Sequence, residues 1–481
     1  MNVIKAYHTH YVVPNYELGQ CKFLEEKLSV WDDTYFKYKP KGFIYNEEKK
    51  ELYVERGVDP EFLKNTLKME MDVEYCADKA ATTSFRLFAG PRDEYQKIAL
   101  AFLLGKDKYS YTRTRSQVAL IAPTDSGKTY TTIAALHFMK TKAIIIVGLN
   151  RLKEQWIKSV ETFTSIKPEE MCDIDGASTI KKIMKNGSNC KIFFITHASI
   201  NAWGRSHGWE SVHDLFKKLE VGVKVYDEAH LNFDNIIRTD IYSNTKKTIY
   251  LTATFDRSDK NESDVFNMCF NNIPRYGQEI KKVKRRHQVY IPILYDSKPT
   301  LEERTSCKGL KSSLDRNKYS DYIMGKNIIF DVILYALHIL RDNEGKILIL
   351  SSKISSVEEI CNFMRNAFPD KNVAMYHSKQ NSEENEKVHD ADIISATPKA
   401  FGTGIDIKGL RIIIMLEPFS SNVNAEQFIG RLREYAPDAY TFYVEPIDEG
   451  FPQSKRMYSK RKKVLKKKCA KILELSYRKD K

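Results

Sequence analysis

An apolar run, a turn carrying glycine and lysine, and a helical pattern follow one another at 117–139, QVALIAPTDSGKTYTTIAALHFM, and few folds accept that succession. A strand feeding a tight turn that opens a helix aims backbone N–H groups and the positive end of the helix dipole at one point, a ready cradle for phosphate. In the turn itself, APTDSGKT at 122–129, Gly127 belongs to the tight bend, Lys128 reaches the β and γ oxygens, and Thr129 offers its hydroxyl to magnesium. Ninety-nine residues after Lys128, VKVYDEAH at 223–230 brings Asp227 and Glu228 to the carboxyl end of another apolar strand, the edge at which open α/β sheets bind ligands. There Asp227 can hold magnesium through water, and Glu228 can orient and deprotonate an attacking water. Each signal alone is an ordinary exposed loop. In this order, each after its strand, they imply hydrolysis of a nucleoside triphosphate.

The alternation around these motifs sets the architecture. Short apolar runs at 117, 143 (AIIIVG), 191 (KIFFIT), 223 and 248 (TIYLTAT) are separated by helical patterns, which predicts a parallel sheet covered by helices over 89–275. A polar, basic stretch at 276–325, including KKVKRRH, reads as a linker. The alternation then resumes over 326–450 with KILILSS at 346, NVAMYHS at 372, ADIISAT at 391, RIIIMLEP at 411 and AYTFYVEP at 439, a second parallel sheet. Residues 1–88 read as a small separate α+β module of illegible role, in which two β-prone runs flank a polar turn at 46–50 and predict a hairpin.

Charge is concentrated at one end. The 481-residue chain has a net charge of +14, yet 455–481 holds thirteen basic residues against two acidic ones, leaving only +3 elsewhere. Residues 451–481 therefore read as a basic tail, and the spacing of Val464, Leu465, Ile472, Leu473 and Leu475 is that of a basic amphipathic helix suited to anchoring on nucleic acid. The bland alternative is a solvated tail packing a few leucines on the second domain. Eight singly placed cysteines form no C-x-x-C pair and point to a reduced, intracellular setting, the host cytoplasm if the source is a phage. The opening residues carry no signal-peptide core, and no stretch approaches the roughly 18 apolar residues of a membrane span.

APTDSGKT, the DEAH at 227–230, the TAT at 252–254, the T-x-x-x-x-G-T-G-I-D run at 397–406 and the Q-x-x-G-R at 427–431 occur in the order found in superfamily-two helicases. The chain resembles that family over 89–445. NRLKEQW at 150–156 is similar to the branch holding XPB, RecG-like and phage UvsW-type enzymes. The resemblance implies two tandem RecA-like domains, use of ATP and magnesium, and roles residue by residue. Gln96, in RDEYQ, would read the adenine, while Gly404 and Asp406 would face the nucleotide from the second domain. His230, Thr252 and Thr254 would couple the γ-phosphate to domain closure, and Asn150, Arg151, Thr196, His197, Ser352 and Thr397 would touch one strand's sugar-phosphate backbone, opposite the ATP cleft.

Gln427, Arg431 and Arg433 fall where the family keeps its arginine finger, which stabilises charge on the transferred phosphoryl group. The family's two arginines are three residues apart. Here they are two apart, so Arg431, in register with the Q-x-x-G-R core, is favoured over Arg433. A second departure is Asp125 at a position usually held by glycine; aspartate tolerates the left-handed backbone but places a carboxylate near phosphates, which implies modest turnover.

The expected function is ATP-dependent unwinding or branch migration, on DNA rather than RNA, in phage or viral replication or recombination. One alternative is a double-strand translocase that displaces proteins or transcripts. The other is a nucleic-acid-binding protein with an inactive ATP site, disfavoured because Lys128, Thr129, Asp227 and Glu228 are all of the required chemical type.

Overall fold

The computed structural model describes residues 3–32, 36–72, 77–105, 116–122, 126–253, 260–270, 272–277, 285–309, 313–377, 379–380, 387–402, 407–418, 428–432, 439–466 and 468–478. The chain divides into two compact units, Met1–Lys281 and Lys282–Lys481.

The first unit opens with β1 (Ile4–Ala6) and β2 (His10–Val13), then a small hairpin of β3 (Ser29–Asp32) and β4 (Lys37–Pro40), then β5 (Phe43–Asn46), β6 (Glu51–Glu55) and β7 (Met71–Asp72). β5 and β6 pair antiparallel with Asn46 opposite Glu51, the hairpin expected from the polar turn. Five of these strands make a sheet in the order β5-β6-β2-β1-β7. So small a sheet cannot bury its apolar faces alone. Ile4, Tyr11, Leu52 and Val54 instead enter one core with Ile144, Tyr226, Ile236 and Phe270. Polar contacts cross the same seam: Gln117 Nε2 donates to Glu55 Oε1 at 3.0 Å, and the His8 amide donates to Asn244 Oδ1 at 3.1 Å. Residues 1–72 are thus built into the first unit instead of standing apart as a module.

The parallel sheet of this unit runs through β8 (Gln117–Ile121), β9 (Ala143–Val147), β10 (Met171–Ile174), β11 (Ile192–Thr196), β12 (Val223–Tyr226), β13 (Lys247–Thr252) and β14 (Arg275–Tyr276). Its order is β10-β11-β9-β12-β13-β8-β14, parallel throughout. β8, β9, β11 and β12 are buried along their whole length, which is why each reads as a largely apolar run, interrupted only by Gln117, Thr196 and Lys224, themselves buried. β10 and β14 are not legible in that way because MCDI and RY lack such a run.

The second unit contains β15 (Arg285–Tyr295), β16 (Lys346–Leu350), β17 (Val373–Tyr376), β18 (Ile393–Ala396), β19 (Leu410–Met415), β20 (Thr441–Asp448), β21 (Cys469–Ile472) and β22 (Leu475–Ser476). The sheet order is β17-β18-β16-β19-β20-β15-β21, with β22 also on β15. Two expectations are corrected here. Residues 276–325 are not a linker: they supply part of β14, the eleven-residue β15 inside the second sheet, and the helices Leu301–Ser306 and Arg316–Gly325. Residues 451–481 are not a loose basic tail or one continuous helix. The helix Pro452–Leu465 buries Ser454, Tyr458, Arg461 and Leu465, and β21 and β22 then add to the sheet beside β15. The α/β class and the two parallel sheets stand as expected.

Candidate active site

Four strand ends and the turn after β8 bring the chemistry of the first unit to one edge of its sheet. Gly127, at φ 82°, caps the helix Lys128–Met139 in the left-handed region that favours glycine, with the Gln96 carboxamide packed against it. Lys128 opens the helix and its ammonium donates to the Ala122 carbonyl at 2.6 Å, back across the turn. Thr129 is half-buried at the next position. Gln96 lies against this turn. Its side chain is buried against Gly127, and its carboxamide oxygen accepts the Arg92 amide at 2.9 Å while its own backbone amide donates to Asp93 Oδ1 at 2.8 Å. Beside it Tyr95 stacks on Tyr276, with ring centroids 5.8 Å apart.

β12 ends on Tyr226, and the chain turns sharply. Asp227 donates its amide to the Ile146 carbonyl, extending the ladder to β9 by one bond, and Glu228 follows at φ 49°, a left-handed conformation uncommon for a residue with a side chain. The turn fixes both acids. Asp227 Oδ1 accepts the Glu228 amide at 3.0 Å, and Asp227 Oδ2 accepts the indole N–H of Trp156 at 2.9 Å. Burial and the neighbouring Glu228 charge push the Asp227 carboxyl up to about 6, against the opposing pull of Trp156 and Lys128. His230 Nδ1 lies 2.9 Å from Thr252 Oγ1 at the end of β13 and 3.3 Å from Glu228 Oε2. The structure therefore gathers Lys128, Asp227, Glu228, His230 and Thr252 at neighbouring strand ends. Asp125 and Thr254 lie outside the described residues.

A half-buried carboxylate with a raised pKa, with a hydroxyl at the start of the phosphate-loop helix, is a donor set suited to magnesium, which binds through one or two protein oxygens plus phosphates and water. Among the described residues no cluster of three or more His, Cys, Asp or Glu side chains would cage a metal without phosphate.

In the second unit Arg431 is half-buried in the short helical segment 428–431, its guanidinium 5.4 Å from the centre of the Phe401 ring. Gln288 on β15, buried, donates from Nε2 to the Ile429 and Leu432 carbonyls at 2.6 and 2.7 Å and so holds that segment in place. Gly404, Asp406, Gln427 and Arg433 lie outside the described residues.

Two domain models match the chain in order: "Type III restriction enzyme, res subunit" over residues 91–257 and "Helicase conserved C-terminal domain" over 329–434. Both matches support an ATP-hydrolysing enzyme of the superfamily-two helicase kind. Transcript termination protein A18 of Yaba monkey tumor virus is 24% identical over 331 residues, 64% of this chain and 63% of that protein. The XPB helicase/translocase subunit of general transcription and DNA repair factor IIH from Enterocytozoon bieneusi is 25% identical over 51% of this chain and 43% of its own length. The chain thus spans less than two thirds of either relative. Among solved structures, S. cerevisiae Dbp5 bound to RNA and ADP BeF3 superposes with a TM-score of 0.53 at 15% identity, covering 87% of this chain and 94% of that one, a likeness of fold.

The expected nucleic-acid contacts divide by burial. Asn150 is exposed and Arg151 half-buried at the start of the helix Asn150–Phe163, beyond the end of β9. Thr196 and Thr397 are buried, and their hydroxyls accept the amides of Ser199 at 3.1 Å and Ala400 at 3.4 Å, capping the helices that follow. His197 is buried with its ring parallel to Tyr226 at 5.7 Å, and burial lowers its pKa to about 4. These three side chains are buried, whereas Asn150 is exposed. Ser352 is half-buried; its amide and hydroxyl donate to Glu417 Oε2 at 3.0 and 3.4 Å. Sequence reasoning gave Trp156 no role, although it closes the NRLKEQW stretch, and missed Gln288 and Glu417, which lie in no stretch that the sequence singles out.

Proposed function

We propose that the chain is a magnesium-dependent ATPase motor that moves along DNA, with Lys128, Thr129, Asp227 and Glu228 as its ATP site. The observation that supports this most is the convergence of Lys128, Asp227, Glu228, His230 and Thr252 at adjacent strand ends of one sheet. Lys128, now on the Ala122 carbonyl, exchanges that oxygen for those of the phosphates. Thr129 and Asp227 would hold magnesium, which would neutralise phosphate charge. Glu228 orients the attacking water and takes its proton. The His230–Thr252 hydrogen bond is the switch by which the state of the site reaches β13, since a hydroxyl and an imidazole can exchange partners at little steric cost. Arg431 acts as the finger from the second domain. Asn150 and Arg151 contact a strand by its phosphates, which carry no sequence information and so leave the motor free to move. Within the superfamily we place the chain on the XPB-like branch, on NRLKEQW and on the XPB relatives.

ATPase assays with single-stranded, duplex, forked and four-way DNA and with RNA, run side by side, test the reading. Stimulation by at least one DNA substrate above that by RNA is expected; stimulation by RNA alone, or by nothing, contradicts it.

A second reading is supported by the A18 relatives from two poxviruses, which are transcript termination proteins by name. It makes the chain a translocase on duplex that displaces transcripts without extended unwinding. The relatives' names lend nothing to a role in replication or recombination. Triplex displacement without strand displacement on forked DNA would favour translocation, and the converse would favour unwinding.

A further inference from the structure

Trp156 lies 71 residues before Asp227 in the chain, yet its indole N–H is 2.9 Å from Asp227 Oδ2. It sits on the inward face of the helix Asn150–Phe163, where Lys153, Trp156 and Val160 are the buried residues, and Trp156 is 2% exposed. It belongs to the same apolar core as Ile145, Val147 and Val225, and close-packed interiors hold side chains in one rotamer. The other carboxylate oxygen, Oδ1, accepts the Glu228 amide. Two donors from different elements thus hold the two oxygens of one carboxylate, and each oxygen keeps a lone pair for a further ligand. A buried indole N–H needs an acceptor in any protein. Here the acceptor is the acid placed to hold the metal, so the ring's packing fixes the direction in which that acid faces.

We propose that Trp156 is a positioning residue for nucleotide-bound magnesium, holding the Asp227 carboxylate in the orientation that receives the ion. This rests on the ATP-site reading above. A partner behind a metal ligand fixes its rotamer, and removing such a partner commonly costs 10- to 100-fold in metal affinity. The bond serves the metal, and the phosphates are gripped by Lys128 and the turn, so binding of nucleotide without magnesium should not depend on it.

The test is calorimetric titration of the full chain with a non-hydrolysable ATP analogue, across magnesium concentrations and in EDTA. Trp156→Phe should raise the magnesium concentration needed to tighten analogue binding by about 10- to 100-fold while leaving affinity in EDTA unchanged. In an Asp227→Asn background the same substitution should add nothing, the signature of a pair that acts as one. Replacing Trp156 with benzothienylalanine, which keeps ring shape and removes only the N–H, should reproduce the effect and guards against a folding defect in the phenylalanine variant. An unchanged magnesium dependence, or an equal loss of affinity with and without magnesium, overturns the proposal. If magnesium fails to tighten the analogue on the parent chain, it is the ATP-site reading that falls, and this inference with it.

Discussion

Lys128 and Glu228 serve the same expected phosphate but do different work, and substitution should separate them. Lys128→Ala removes the charge that grips phosphate and should nearly abolish nucleotide binding. Glu228→Gln keeps shape and hydrogen bonding but loses the base, so ATP should bind and not turn over. Arg431→Ala should cost about 10³ to 10⁵ in stimulated turnover with little loss of ATP affinity, because a finger's contact is made mainly in the transition state. A severe defect confined to Arg433→Ala would show that the shortened spacing is absorbed locally and that the assignment to Arg431 is wrong. His197 makes a different prediction. Its pKa is depressed on folding, from an ordinary 6.5 to about 4, so the neutral buried ring contributes stability that is fully present above pH 6.5 and is lost as pH falls toward 4. At pH 5 that loss is about 2 kcal/mol at 1.4 kcal/mol per unit. Urea unfolding at pH 7 and pH 5 should show a pH dependence shallower by roughly that amount in His197→Phe than in the parent.

β15 and the helix Pro452–Leu465 show why some elements are illegible in the sequence. The strands of the two sheet interiors are buried on both faces, so their residues are nearly all apolar and the pattern stands out. β15 begins with Arg285, Arg286 and His287 and carries Pro292, which argues against a strand inside a sheet. The structure resolves the conflict by position. β21 pairs as far as Tyr290 and β22 resumes at Ile293, so the missing proline N–H falls in the gap between two edge strands. In the C-terminal helix, charge misleads. Arg461 is wholly buried, paired to Glu445 at 2.7 Å, with Tyr290 also bonded to that glutamate. Arg461→Ala strands the Glu445 charge and should destabilise the second unit by about 3–5 kcal/mol, since removing one partner of a buried pair leaves the other uncompensated. Thermal unfolding of that variant beside Lys460→Ala, an exposed position expected to change stability by less than about 0.5 kcal/mol, checks it. Deleting 455–481 would remove Arg461, β21 and β22 together, so weaker binding by that truncation would report damage to the fold. The basic side chains on the solvent side of the helix, Arg456 and Lys460 among them, are the better probe. Neutralising these two should lower the log-log salt slope of DNA binding by about 0.7 to 0.9 for each phosphate they neutralise, and an unchanged slope would clear this face of any role in binding.

At the scale of the whole chain, the motifs that read well are those in which one local stretch does the work: a phosphate loop needs its strand, turn and helix in succession, and the acidic pair needs only its strand. What does not read is what the fold assembles from distant residues. Trp156 behind Asp227, Gln288 under the 428–431 segment, and the inward turn of His197 onto Tyr226 each join positions tens of residues or more apart, and no spacing rule announces them. The N-terminal residues read as separate because their hairpin is locally complete, whereas the apolar face it must bury is covered by the parallel sheet and its helices. The central claim is that the Asp227–Glu228 strand end and the Lys128 turn form one working ATP site whose turnover is driven by DNA. It is tested most directly by measuring ATP hydrolysis and ATP affinity of the parent chain and of Glu228→Gln, each with and without DNA. DNA-stimulated hydrolysis is expected in the parent and, in Glu228→Gln, retained affinity with turnover abolished in both conditions; parent-level turnover by Glu228→Gln would show that this acid is not the base and that the site works otherwise.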